Sequence, residues 1–210
     1  MVFITHQDDR ETPLEESLEA FYRLVKAGKV RFIGVSNFLT WRLEEARHIS
    51  RSNGWPQFCC IQQRFSYLRP VIGANFDPQV AGTAELLDFC QSRKVQFLAY
   101  SPLLGGAYSR SDRPLPPQYQ GPDSKRRLDA LKAVAGEACT TTNQIVLAWL
   151  MQSEPVAIPV LGVSRPEQLE ENLGALDITL SEDQIYRLSS AGNIPTSHFD
   201  AKRQESRLAK

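Results

Sequence analysis

The 210-residue sequence predicts an α/β domain built on a parallel sheet. Five short apolar runs, at 2–6, 30–35, 58–62, 95–100 and 156–160, are each followed by at least one segment of helical periodicity. Strand–helix alternation of this kind implies parallel strands joined by right-handed crossovers. Two of the runs, Ile33-Gly34-Val35-Ser36-Asn37-Phe38 and Leu98-Ala99-Tyr100-Ser101-Pro102-Leu103, pass straight from apolar into polar residues. Residues just past the C-terminal ends of parallel strands are where active sites collect. Two architectures satisfy the pattern: an open doubly wound sheet, or consecutive units of an eight-fold barrel. No Gly-x-Gly-x-x-Gly follows the first strand, which counts against a Rossmann dinucleotide fold.

Taken in order, strand Val2–His6 leads to a helix whose start reads as a capping box, Thr12-Pro13-Leu14-Glu15. Leu14, Leu18, Phe21 and Val25 form its apolar face, and Gly28 closes it. Strand Val30–Val35 follows, then a helix capped by Thr40, with Leu43, Ala46 and Ile49 inward and an end near Asn53-Gly54. Strand Phe58–Gln62 precedes a loop with Pro70, Gly73 and Pro78, and a helix over 83–93. Strand Val95–Tyr100 opens into a Gly- and Pro-rich loop over 104–123. Two helices follow, one after Ser124 with Leu128, Leu131 and Val134, the other around 143–152. After strand Val156–Val160, Pro166 starts a helix whose apolar face is Leu169, Leu173 and Leu176 at i, i+4 and i+7. The last helix opens with the box Ser181-Glu182-Asp183-Gln184 and stops at Gly192, leaving a polar tail over 193–210. No internal repeat and no linker divides residues 1–192, which read as one domain.

Composition narrows the function classes. Twenty-four Lys and Arg balance 24 Asp and Glu, so no basic excess points to nucleic acid. No apolar run suits a signal peptide or a membrane span, and a cytoplasmic location is expected. Cys59, Cys60, Cys90 and Cys139 have neither CxxC spacing nor histidine partners, so buried thiols are expected rather than a metal site or disulfides. His48 and His198 read as surface residues, whereas His6 ends a strand on the catalytic side.

The strand ends, taken together, resemble one family. The segment 28–38, Gly-Lys-Val-Arg-Phe-Ile-Gly-Val-Ser-Asn-Phe, is similar to the one that ends the fifth barrel strand of aldo-keto reductases. Thr5-His6-Gln7-Asp8-Asp9 resembles the end of that family's fourth strand, and Gln62-Gln63-Arg64-Phe65-Ser66 the sixth. Tyr100-Ser101-Pro102-Leu103 matches the seventh, and the stretch from Ile158-Pro159 through Glu171-Asn172-Leu173 the eighth strand and its helix. Any one of these motifs is weak, but all of them in family order over nearly the whole chain are specific.

The resemblance implies an NADPH-dependent reductase of aldehyde or ketone carbonyls on a (β/α)8 TIM barrel, present here as about its last five units, with a small-molecule substrate. It implies that Ser36, Asn37 and Gln62 hydrogen-bond the nicotinamide carboxamide, since Asn and Gln offer both donor and acceptor. Tyr100 would stack under the ring. Ser101, Leu103 and Gly105 would lie along the pyrophosphate. Gly162, Ser164, Arg165, Gln168 and Asn172 would hold the adenosine end, with Arg165 on the 2′-phosphate. His6 would be the catalytic residue that orients the carbonyl. Each position also has a purely structural reading: Asn37 or Thr40 as a helix cap, Tyr100 as a half-buried strand aromatic, Pro166 as a helix start. Trp41, Trp55 and the 104–123 loop would shape the substrate pocket.

The family's catalytic aspartate, tyrosine and lysine sit on earlier strands than those matched here. The 210-residue chain is therefore expected to be a truncated or late-started frame, or a degenerate member that acts as a non-catalytic NADP(H)-binding or interaction module. Its unpaired edges, Val2–His6 and Val156–Val160, favour association.

Overall fold

The computed structural model describes residues 1–193; the expectations for His198 and for the tail beyond Asn193 lie outside them. Five strands, β1 (Val2–Thr5), β2 (Phe32–Ser36), β3 (Cys60–Arg64), β4 (Gln96–Tyr100) and β5 (Ala157–Val160), form one parallel sheet in chain order. Because sequential strands are also spatial neighbours pointing the same way, every right-handed crossover lands on the same side. The order never reverses, as a doubly wound sheet requires. The result is an arc of a (β/α)8 barrel.

Seven helices cover the convex side: α1 (Leu14–Lys26), α2 (Thr40–Ser52), α3 (Ala84–Arg93), α4 (Ser124–Glu137), α5 (Thr142–Gln152), α6 (Pro166–Leu173) and α7 (Glu182–Ser190). Ile33, Val35, Ile61, Phe97, Ala99 and Ala157 face them and are buried. Their strand neighbours alternate to the concave side, where Phe32 is 56% and Ile158 45% exposed. The core sits between sheet and helices. Its most buried helix, α5, is fixed at its start by the Thr141–Gln144 capping box and contributes Ile145, Val146 and Leu150. Burying each such side chain is worth about 1.5–3 kcal/mol. Among the described residues no helix is long and apolar enough to cross a membrane.

Several local expectations change. The capping box at Thr12 does not form: Pro13 takes the cap position, and Thr12 Oγ1 instead donates to Asp9 Oδ2 at 2.6 Å. Asp9 also accepts from the backbone of Glu11 and Thr12, and this local turn competes successfully with the helix cap. Thr40 is the first helical residue rather than the cap, and its hydroxyl donates to Glu85 of α3. Strand β2 begins at Phe32, two residues late, because the amides of Arg31 and Phe32 both converge on the carbonyl of Met1. Strand β3 runs to Arg64 instead of Gln62, where Val80 and Gly82 replace β2 as its backbone partner. Parts of the 104–123 loop are 3-10 turns, Leu104–Gly106 and Pro117–Tyr119. Leu169, Leu173 and Leu176 do not face a core: they are 43%, 50% and 67% exposed, with nothing packed beyond β5 to cover them. The cysteines are not uniformly buried either, since Cys139 is exposed beyond the end of α4.

Candidate active site at the strand C-termini

The C-terminal ends of β1, β2 and β4 meet at one side chain. Asn37 follows β2 with φ 58°, a left-handed conformation that asparagine tolerates better than most residues. This turn aims its amide back across the strand ends. Nδ2 donates to the His6 carbonyl at 2.9 Å and to Ser36 Oγ at 3.2 Å. Oδ1 accepts from the Val80 amide and from the Tyr100 hydroxyl, both at 2.9 Å. Two donors and two lone pairs are the full capacity of an amide. Asn37 is thus saturated within the chain, and it ties together the ends of β1, β2 and β4 and the 76–80 loop.

A second clamp lies on the opposite face of β3. Gln63, fully buried, accepts from the Asn37 amide at 2.7 Å and donates to the Phe38 carbonyl at 2.6 Å. The sequence hints at this residue, because a Gln pair in a strand forces one polar side chain onto the helix-covered face. Gln62 takes the concave face. Its backbone carbonyl accepts from the Asn37 amide, but its side-chain amide has no hydrogen-bond partner among the described residues. Ser36, paired with Gln62 in register, is 1% exposed, and its oxygen accepts from Asn37, which leaves the hydroxyl proton free to donate. Tyr100 is half-buried, with its phenol anchored on Asn37 and held above its usual pKa by burial. Arg64 stands opposite Tyr100 in register. Its Nε donates to the Tyr119 hydroxyl at 3.2 Å and Nη1 to Gln79 Oε1 at 2.9 Å, with its carbon centre 5.0 Å from the Phe76 ring.

His6 is exposed at the rim, and the loop that carries it is pinned by Asp8, which pairs with Arg42 of α2 at 2.8 Å and with Arg10 at 2.5 Å. Beyond β4, Ser101, Leu104, Gly105 and Gly106 all have positive φ. Gly106 needs to be glycine, since at φ 94° a Cβ would also crowd Arg110 at 3.1 Å. Leu103 is partly buried against the core, and Leu104 anchors the turn at 7% exposure. The turn therefore keeps a fixed shape, with the amides of Leu104 and Gly106 donating to the carbonyls of Ser101 and Leu103.

The segment after β5 is built differently. Gly162, Ser164 and Arg165 are exposed. Gln168 reaches back so that its Oε1 accepts from the Ser164 amide at 2.9 Å, while Asn172 is buried on α6. Arg165 makes no side-chain bond among the described residues. The expected site residues thus fall into two groups. His6, Ser36, Asn37, Gln62, Tyr100 and Ser101 come together at one end of the sheet, and Gly162, Ser164, Arg165, Gln168 and Asn172 form a separate group past its edge strand. A cavity of about 1340 Å³ belongs to neither: it lies on the helix side between Leu87, Trp149 and Ile185, with Arg64 and Tyr119 at its border. The strand-end mouth is not enclosed, because β1 and β5 leave the arc open.

The parallel arc of strands agrees with what the chain is similar to. Residues 2–193 match the model of the Aldo/keto reductase family. The aldo-keto reductase str7 of Strobilurus tenacellus is 29% identical over 92% of this chain and 59% of its own length. The aldo-keto reductase yakc [NADP(+)] of Schizosaccharomyces pombe is 27% identical over 90% of this chain and 56% of its own. Among solved structures, the thermostable aldo-keto reductase Tm1743, in complex with the inhibitor epalrestat, superposes with a TM-score of 0.69 at 33% identity, over 91% of this chain and 59% of that one. The chain spans about half the length of the curated relatives it matches, 46% to 59%.

Proposed function

Because the chain belongs to the aldo/keto reductase family, we propose that its strand ends hold the nicotinamide of NADPH against an aldehyde or ketone carbonyl, which the protein reduces to an alcohol. One observation carries this reading. Ser36, Gln62 and Tyr100 converge on one concave surface and offer a hydroxyl donor, an unsatisfied amide and an anchored aromatic ring. A primary carboxamide on an aromatic ring asks for those three features.

In this reading Gln62 and the Ser36 hydroxyl read the carboxamide, and Asn37 keeps both in place without touching it. Tyr100 is the platform, and its bond to Asn37 stops the ring from turning away. The fixed turn of Ser101, Leu103 and Gly105 lies along the pyrophosphate. Arg165 meets the 2′-phosphate, flanked by Gly162, Ser164, Gln168 and Asn172. NADPH held there would supply the hydride that the carbonyl carbon takes up. His6 orients the carbonyl oxygen from the rim.

The oxygen must also gain a proton. Tyr67, Tyr108 and Tyr119 are buried, and Tyr100 is committed to Asn37. Tyr22 stacks on Trp55, and Tyr186 lies on α7. No tyrosine of the described residues thus offers a free phenol to the mouth, and lack of a positioned acid slows such a step roughly 10²- to 10⁴-fold. This favours the second reading, a non-catalytic NADP(H)-binding module, for the 210-residue polypeptide alone. Titration with NADPH, followed by its fluorescence, tests the shared core of both readings, and saturable binding is expected. Oxidation of NADPH with a panel of aldehydes then separates them: no appreciable turnover is expected, and robust turnover lost in His6→Ala would overturn the module reading. Absence of binding would overturn both.

A further inference from the structure

Among the described residues Arg64 is a cation without a counter-ion. Its hydrogen-bond partners are a phenol and an amide, and its two ring neighbours, Phe76 and Tyr119, are neutral as well. None of the ion pairs among the described residues includes it. These contacts hold the guanidinium in place and leave its charge whole. Nη2 has no acceptor among the described residues.

Its position gives that charge a target. Arg64 shares the concave face of β3 with Gln62, two residues along, which is about 6.6 Å of strand. It lies directly across from Tyr100 on the next strand, a spacing of about 4.8 Å. The positive charge is close enough to ease ionisation of the Tyr100 phenol, against the larger effect of burial. The carboxamide reader and the ring platform therefore both sit beside a fixed, unneutralised charge. The oxidised nicotinamide ring carries one positive charge that the reduced ring lacks, and the rest of the two cofactors is the same. A fixed cation beside the ring repels one form and not the other.

We propose that Arg64 selects the oxidation state of the cofactor, holding NADPH more tightly than NADP+ and so biasing the site toward carbonyl reduction. This role rests on the reading of the strand ends as the nicotinamide site. At about 8 Å, the diagonal of those two strand spacings, unit charges at an effective dielectric of about 20 separate the two affinities by roughly ten-fold once solvent screening is allowed for.

The test measures dissociation constants of the 210-residue protein for NADPH and NADP+ by calorimetry. The wild type is expected to bind NADPH roughly ten-fold more tightly. Arg64→Gln brings the ratio close to one, and Arg64→Lys restores most of it. Arg165→Gln is the control: it weakens both cofactors together and leaves the ratio alone. Should Arg64→Gln fail to fold by circular dichroism, the wild-type ratio is measured across ionic strength. The phosphates are common to both cofactors and cancel, so the ratio is expected to shrink as salt rises. A ratio near one in the wild type, or one indifferent to Arg64→Gln and to salt, overturns the role of Arg64 while the site stands. Failure to bind either cofactor overturns the site and this role with it.

Discussion

The two groups of candidate site residues solve the problem of exposed polar side chains in opposite ways. At the strand ends, Ser36 and Asn37 are buried and bonded to one another, and Tyr100 and Gln63 lock into the same cluster. After β5, Gly162, Ser164 and Arg165 stand in solvent, and only Gln168 organises them. Asn37, at the centre of the first group, cannot be altered without disturbing three strand ends. In the second group the exposed Gly162, Ser164 and Arg165 can be altered almost freely. A residue at a ligand site can thus serve the ligand directly or serve the shape of the site, and the hydrogen-bond inventory tells the two apart.

The contrast is broken most forcefully at Asn37. Asn37→Ala leaves the Val80 amide, the Tyr100 hydroxyl and the His6 carbonyl without their partner and puts alanine at φ 58°. Unfolding in urea is expected to show a loss of about 3 kcal/mol, with NADPH binding lost as a consequence. Gln62→Leu separates ligand from scaffold. Its side chain has no partner to lose, so stability should stay within about 0.5 kcal/mol of wild type while NADPH affinity falls roughly ten-fold. A fall in stability matching that of Asn37→Ala would place Gln62 with the scaffold. Arg165→Gln should weaken NADPH by several-fold and NADH hardly at all, with no change in the urea midpoint.

The smallest effect belongs to a surface pair remote from both groups. Arg187 grips Glu137 at 2.7 and 2.5 Å and holds its carboxyl well below the usual range, to about 2. A depressed carboxylate stabilises the fold above its unfolded pKa and loses that contribution as pH falls toward the folded one. The Tm difference between wild type and Glu137→Gln should therefore be largest above the ordinary carboxylate value of 4.5 and vanish near pH 2. The pair lies at the surface, its side chains 37% and 44% exposed, so added salt should shrink it as well.

The contrast also explains what the sequence could disclose. Strand and helix count were legible because apolar periodicity is a local signal, repeated five times along the chain, whereas strand order followed only from the family resemblance of the strand ends. The role of Asn37 was not legible. Its partners, His6, Val80 and Tyr100, lie 31, 43 and 63 residues away, and nothing local says that one amide meets all three. The Leu169–Leu173–Leu176 stripe misled for a related reason: periodicity reveals an apolar face but not whether anything packs on it. Thr12 misled because Asp9 was within reach of the same hydroxyl. Arg64 stood in the sequence only as part of the sixth-strand motif, and its lack of an ion pair among the described residues appears only when the 76–79 loop and Tyr119 close around it.

The central claim is that Asn37 is the frame and Gln62 with Ser36 the reader of one nicotinamide site, and a structure determined with NADPH bound measures it directly. The carboxamide should lie within about 3 Å of the Gln62 amide and the Ser36 hydroxyl. The ring should rest on Tyr100, and Asn37 should still bond the His6 carbonyl, the Val80 amide and the Tyr100 hydroxyl. An Asn37 side chain swung out to the carboxamide with those bonds broken, or a nicotinamide lying away from Tyr100, would contradict it.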